Sequence, residues 1–179
     1  MPRLFTGIEI PPDIAQALAL KRGALRGSRW IEPSDYHITL RFLGDVEIEV
    51  AEALHERLIE ARARTPFPVT LDGLASFGGD KPRAILATVM PAPELVDLQA
   101  EQERLARQAG AEPERRKFTP HVTLARLRRE ARSEDVAAYL GERGLFEPLT
   151  FMAERVALFS ARESKGGGPY VIEAAYPLG

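Results

Sequence analysis

His37-Ile38-Thr39-Leu40 recurs in the second half of the chain as His121-Val122-Thr123-Leu124. In both copies apolar residues alternate with His and Thr, the period of two that marks a half-buried strand. Alternation sets imidazole and hydroxyl on one face and turns Ile38/Leu40 or Val122/Leu124 toward a core. The chain has 3 histidines, and two of them open this phrase. The duplication predicts two matching strands, each presenting a His and a Thr on rigid backbone.

Outward from the phrases the chain alternates strands and helices. Residues 3–10 read as a strand ended by Pro11-Pro12, and Asp13 is placed to cap a helix reaching about Gly27. The first phrase strand spans 36–43 and closes at Gly44-Asp45; an amphipathic helix follows over 48–64. Residues 67–71 alternate as a strand whose start Pro66 and Pro68 place at an edge, and pair as a hairpin with 84–89. Pro93 starts the most regular helix, which Gly110 stops. A charged loop over 112–117 delivers the second phrase, and Ser133 caps a short helix. A strand over 151–160, a loop at 165–168 and a last strand over 170–176 complete the order. His37 and His121 stand about half a chain apart, which predicts an α+β fold of two pseudo-symmetric lobes. Each lobe would carry an antiparallel sheet and flanking helices around a central cleft. No low-complexity linker divides them, so residues 1–179 read as one compact domain.

Composition narrows the function. With 45% hydrophobic and 28% charged residues this is an ordinary globular chain. A net charge of −2 argues against broad, sequence-blind nucleic-acid binding, though not against a small phosphate site built from local arginines. No apolar run approaches the ~20 residues that span a bilayer, and the amino terminus lacks a signal peptide's pattern, so a cytoplasmic protein is expected. Zero cysteines exclude disulfides and thiol catalysis. Lysine occurs only at 21, 81, 117 and 165, and asparagine is absent, a bias shared by thermophiles and GC-rich genomes.

Two facing imidazoles equip a site for paired acid–base work near neutral pH. One takes a proton while neutral, the other gives one while charged, and two hydroxyls beside them can donate to an oxyanion. Phosphodiester cleavage needs this set, because it moves protons at both ends of an in-line displacement and builds charge on the non-bridging oxygens. No carboxylate cluster or His-x-x-x-His pair offers a metal site, so no cofactor is expected. His55, among charged neighbours on a helix, reads as a solvated surface residue. The glycine runs at 78–79 and 166–168 lack phosphate-loop spacing and read as turns. Ser160 has no His-Asp arrangement and is not a nucleophile.

The double phrase resembles the two-histidine phosphoesterases. One copy is followed by Arg41-Phe42-Leu43-Gly44, and the other is set in Phe118-Thr119-Pro120-His121-Val122-Thr123-Leu124-Ala125-Arg126. Within that group the chain is similar to the RNA 2′,3′-cyclic phosphodiesterases, also called 2′–5′ RNA ligase-like proteins. Arg3-Leu4-Phe5, Lys81-Pro82-Arg83 and the Ser160…Gly168-Pro169-Tyr170 ending share in this resemblance. It implies metal-independent hydrolysis of an RNA 2′,3′-cyclic phosphate to a 2′-phosphate. His37 would be the proton donor, His121 the proton acceptor, and Thr39 and Thr123 the phosphate-oxygen ligands. The phrases themselves are too alike to say which histidine plays which part.

The resemblance also assigns substrate contact to Arg126, which strict alternation points away from His121; Arg41 has the right parity. Either a bulge re-aims Arg126 or Arg41 carries the charge compensation. Phe5 and Tyr170 are candidates for stacking on a terminal base, with core packing as the alternative. The expected partner is an RNA end bearing a 2′,3′-cyclic phosphate, held by a monomer. A 2′–5′ RNA ligase, a small cyclic-nucleotide phosphodiesterase and a non-catalytic RNA-end-binding module are the competing readings.

Overall fold

A computed structural model describes residues 3–161 and 168–179, in which strands and four helices follow the order the sequence suggests. The elements are β1 (Arg3–Glu9), α1 (Pro12–Ala19), β2 (Ser28–Trp30), β3 (His37–Asp45), α2 (Ile48–Ile59), β4 (Phe67–Phe77), β5 (Ala84–Val89), α3 (Pro93–Gln108), β6 (His121–Leu127), α4 (Ser133–Arg143), β7 (Leu149–Ala153), β8 (Arg155–Ser160) and β9 (Val171–Pro177). The strands form one antiparallel sheet in the order β7-β4-β5-β6-β3-β1-β8-β9, with β2 added to β6.

The phrase strands β3 and β6 meet at the centre of this sheet, where Ile38 pairs with Val122. All the other ladders lie within one half or the other, so the α+β fold is two four-stranded halves joined at the repeated motif. The halves exchange strands. β4, which follows α2 in the first half of the chain, pairs with β5. β8, from the second half, pairs with β1. Sequence order repeats, but space assigns each repeat's last strand to the other half.

Ile38 and Val122 are fully buried and Leu40 and Leu124 nearly so, on the face that all four helices cover. Leu18 of α1, Leu95 and Leu98 of α3 and Val136 and Tyr139 of α4 pack there, and α2 adds Leu54 and Leu58. Burying each such leucine is worth about 1.5–3 kcal/mol, so this face fixes the register and leaves the opposite face free for His and Thr.

Several expectations need correction. α1 ends at Ala19, not near Gly27; Leu20 is 80% exposed, and the following carbonyls of Lys21 and Arg22 accept hydrogen bonds from Tyr139 and Arg143 of α4. β4 runs on to Phe77, beyond the expected 71; its start pairs with β7 alone from Phe67 to Thr70, the one-sided edge that the prolines imply. Its pairing with β5 begins only at Leu71, so Pro68 stands where one side of the strand is open. The strand expected over 151–160 is two, β7 and β8, in different halves of the sheet. His55 is not freely solvated: it is half-buried, with Nδ1 2.6 Å from the Tyr176 hydroxyl. The charged loop is anchored, for Glu112 accepts a bond from Arg41 and the Glu114 N–H donates to Glu103. The expected turn at 78–81 is present, whereas most of the loop at 165–168 lies outside the described residues.

Candidate active site

Extending the Ile38–Val122 register by one residue each way sets His37 across from Thr123 and His121 across from Thr39. All four side chains line one open cleft of about 530 Å³, a size that suits a nucleotide. The two imidazoles are held alike. His37 Nδ1 lies 2.9 Å from the Asp35 carbonyl, and His121 Nδ1 lies 2.7 Å from the Thr119 carbonyl. A carbonyl only accepts, so each Nδ1 carries hydrogen and each Nε2 accepts in the neutral ring and donates in the charged one. Nε2 of His37 meets the Thr39 hydroxyl at 2.9 Å.

The cleft tilts both rings toward their neutral forms. Burial pushes His37 down from the usual range to about 4; the Asp35 carbonyl opposes this, and repulsion from His121 and Arg126 adds to it. His121 is lowered as well, first by burial and then by Arg126, against the pull of the Thr119 carbonyl.

The two arginines part company through a shared irregularity. Between Thr6↔Arg41 and Gly7↔Thr39 the β1–β3 ladder skips Leu40. Between Ile85↔Ala125 and Leu86↔Thr123 the β5–β6 ladder skips Leu124. An extra residue reverses the parity of everything after it. Leu124 and Ala125 are therefore both buried, and Arg126 turns into the cleft. By the same device Leu40 and Arg41 both face inward and Phe42 takes the cleft position. The parity expected for Arg41 thus fails. Its side chain is 6% exposed, with Nε 2.5 Å from Glu103 and further bonds to the carbonyls of Phe42 and Glu112, and it does not line the cleft. Gly7 is needed at this crossing, because a Cβ there would meet the Ile38 carbonyl at 2.6 Å.

Phe5 is 3% exposed, its ring 4.7 Å from the His37 ring and stacked on Phe159 at 4.8 Å. It forms the floor under the imidazole and leaves little face for a base. Tyr170 stands edge-on to both Phe5 and His37, at 5.1 and 5.0 Å. Its N–H donates to the Asp35 carboxylate. Gly168, at φ +99°, lies so close that a Cβ would sit 2.4 Å from that carboxylate.

Other cleft residues went unassigned from sequence. Arg3, Arg83 and Arg116 join Arg126 along the lining, against a single carboxylate among the described residues, Asp35. Phe42 and Phe77 offer partly open rings, 37% and 38% exposed, with Phe77 edge-on to His121 at 4.9 Å. Arg3 and Arg83 belong to segments the resemblance had marked, and Phe42 became legible only with the bulge. The result is an anion-attracting cleft, with aromatic rings against both histidines and arginines along its lining, in a chain of net charge −2.

Two imidazoles on paired strands, within an arginine-lined cleft of a symmetric α+β sheet, define the class of the site. A family model described as the 2′-5′ RNA ligase superfamily matches residues 10–165. The chain belongs to this superfamily. A Bacillus subtilis RNA 2′,3′-cyclic phosphodiesterase is 32% identical over 170 residues, covering 88% of this chain and 87% of that protein. An Aeropyrum pernix protein of the same name is 41% identical over 100 residues, 55% of this chain and only 56% of the relative. Among solved structures, TT0787 of Thermus thermophilus superposes with a TM-score of 0.76 at 25% identity, covering 98% of this chain and 97% of that one. E. coli LigT complexed with 3′-AMP gives 0.77 at 23%, covering 99% and 98%, a likeness of fold.

Proposed function

We propose that this protein is an RNA 2′,3′-cyclic phosphodiesterase that opens the cyclic phosphate to a 2′-phosphate with His37 and His121 as its acid–base pair. One observation carries the reading. Both histidines are fixed through Nδ1 to backbone carbonyls, which leaves two Nε2 atoms on one cationic cleft that Thr39 and Thr123 also line. The activity itself follows the names of the relatives.

In the proposed step His121 Nε2 takes a proton from water, whose oxygen attacks phosphorus in line with the 3′-oxygen. The P–O3′ bond breaks, and His37 Nε2–H gives its proton to that oxygen, leaving the 2′-phosphate. Thr39 and Thr123 donate to the non-bridging oxygens, and Arg126 offsets the charge that builds there. Both rings favour the neutral form in the empty cleft, so the bound phosphate anion is what raises His37 into its charged form. An anion between two imidazoles thus creates the acid it needs.

The scheme asks for no group from a second copy, and strand exchange ties both halves into one domain. Among the described residues no group of three or more His, Asp or Glu could hold a metal. Among the described residues no helix is long and apolar enough to cross a membrane; we place the enzyme with RNA in the cytoplasm. The test is an oligonucleotide with a 2′,3′-cyclic end, incubated with and without a second strand bearing a 5′-hydroxyl. A 2′-phosphate product is expected. A 3′-phosphate, or exclusive joining of the strands, would overturn the proposal.

A further inference from the structure

We propose that a second groove, beside the cleft across Arg83, holds the sugar–phosphate backbone 5′ to the cyclic end, so that RNA strands are preferred over nucleoside 2′,3′-cyclic phosphates. The inference rests on the phosphodiesterase reading and names the substrate class more narrowly. This groove, of about 550 Å³, is lined by Lys81, Arg83, Arg128 and Arg129 against one carboxylate, Asp80. Arg83 lines both the groove and the catalytic cleft, so the two are neighbours on either side of its side chain.

Among the described residues the groove's cations carry no ion pair of their own, and what they share is one surface. Arg41, Arg62, Arg64, Arg104, Arg107, Arg116 and Arg155 each lie within ion-pair distance of a carboxylate. Lys81, Arg83, Arg126, Arg128 and Arg129 are exposed and make no such pair among the described residues. Uncompensated cations side by side repel one another, and in a chain of net charge −2 they do not follow from general basicity. Arg126 and Arg83 line the cleft, and Arg83, Arg128 and Arg129 line the groove beside it. A single small anion is gripped by converging donors; exposed guanidiniums spread over one surface match a chain of phosphates.

The backbone beneath them is rigid. The Leu127 N–H donates to the Arg83 carbonyl at 2.9 Å, and the Arg128 N–H donates to the Gly27 carbonyl at 2.8 Å. Lys81 is set by its own N–H to the Gly78 carbonyl, at 2.9 Å. A strand whose last phosphate lies between the histidines must leave the cleft, and this is the exit that cations line.

The test uses the full chain and a double variant, Arg128→Glu with Arg129→Glu, both exposed and outside the catalytic cleft. Substrates are a nucleoside 2′,3′-cyclic phosphate and a hexanucleotide with the same end, across a salt series. For the hexamer, KM should rise roughly 10–100-fold with kcat unchanged, and the log–log salt dependence should flatten by about 1.4, as two lost phosphate contacts require. The nucleoside should be turned over as before. Equal loss on both substrates, or an unaltered hexamer KM and salt slope, would overturn the groove. If the wild type hydrolyses neither, the phosphodiesterase reading fails instead. Fluorescence anisotropy of a labelled 3′-phosphorylated hexamer then still decides, since equal binding by both proteins refutes the groove.

Discussion

Replacing Arg41 by Ala should destabilise the protein without touching catalysis, and replacing Arg126 by Ala should do the reverse. The two residues follow near-identical phrases, so the contrast isolates the bulges. Arg41 is 6% exposed, paired with Glu103, itself 15% exposed, and bonded to the carbonyls of Phe42 and Glu112. Its removal strips donors from two carbonyls, at about 1 kcal/mol each. Glu103 keeps Arg107 at 2.7 Å and the Glu114 N–H at 3.1 Å, so its loss stays well under the ~3–5 kcal/mol of a fully stripped buried pair. A total near 3 kcal/mol lowers Tm by roughly 6–12 °C in a chain of this length. Arg126 is exposed in the cleft, so Arg126→Ala should leave Tm within about 2 °C. It should cost roughly 10–100-fold in kcat/KM, the worth of one charge-assisted contact to phosphate. Calorimetry and steady-state kinetics on both variants decide the matter. A tenfold fall in kcat/KM for well-folded Arg41→Ala, or marked destabilisation by Arg126→Ala, would refute the parity argument.

Two further outcomes follow from the site. The folded-state pKa of His37 lies below its unfolded value, so folding favours the neutral ring. That stability is complete above about pH 6.5 and is lost as pH falls toward 4. At pH 5 the loss is about 2 kcal/mol, and lowered His121 adds in the same direction. In denaturant titrations His37→Gln should close part of the gap between pH 7 and pH 5; an unchanged gap contradicts the buried neutral imidazole. Gly168→Ala forces a Cβ against the Asp35 carboxylate at positive φ. Asp35 also supplies the carbonyl that holds His37. Lower kcat with little change in Tm is expected, and wild-type kcat would show that Asp35 does not set the ring.

The elements that carry the site were legible because their signals are local. Alternation through His37–Leu40 and His121–Leu124 set the cleft face. The regular stripe after Pro93 set α3, and the glycine turn at 78–79 closed a hairpin. What escaped was decided by pairing. Nothing within Leu40-Arg41 or Leu124-Ala125 announces a bulge, which arises where β1 and β5 pass these strands, although two consecutive inward residues are its trace. Strand exchange leaves no local mark either, since β4 and β8 are equally good neighbours for either half by composition. The end of α1 depends on acceptor carbonyls met by Tyr139 and Arg143, residues over a hundred positions away. Pairing also settled Phe5 as the floor of His37 and turned Phe42, unassigned from sequence, into an open wall.

The claim at the centre is that two imidazoles, acting together in one displacement, carry both protons. It is tested by the hydrolysis rate of a cyclic-phosphate oligonucleotide in EDTA for His37→Ala, His121→Ala and the double variant. Each single change should cost roughly 10²–10⁴-fold, with folding retained. The double variant should fall little further than the worse single, as members of one catalytic unit do. A single variant that keeps a third of wild-type activity, or a wild-type enzyme silenced by EDTA, would contradict it.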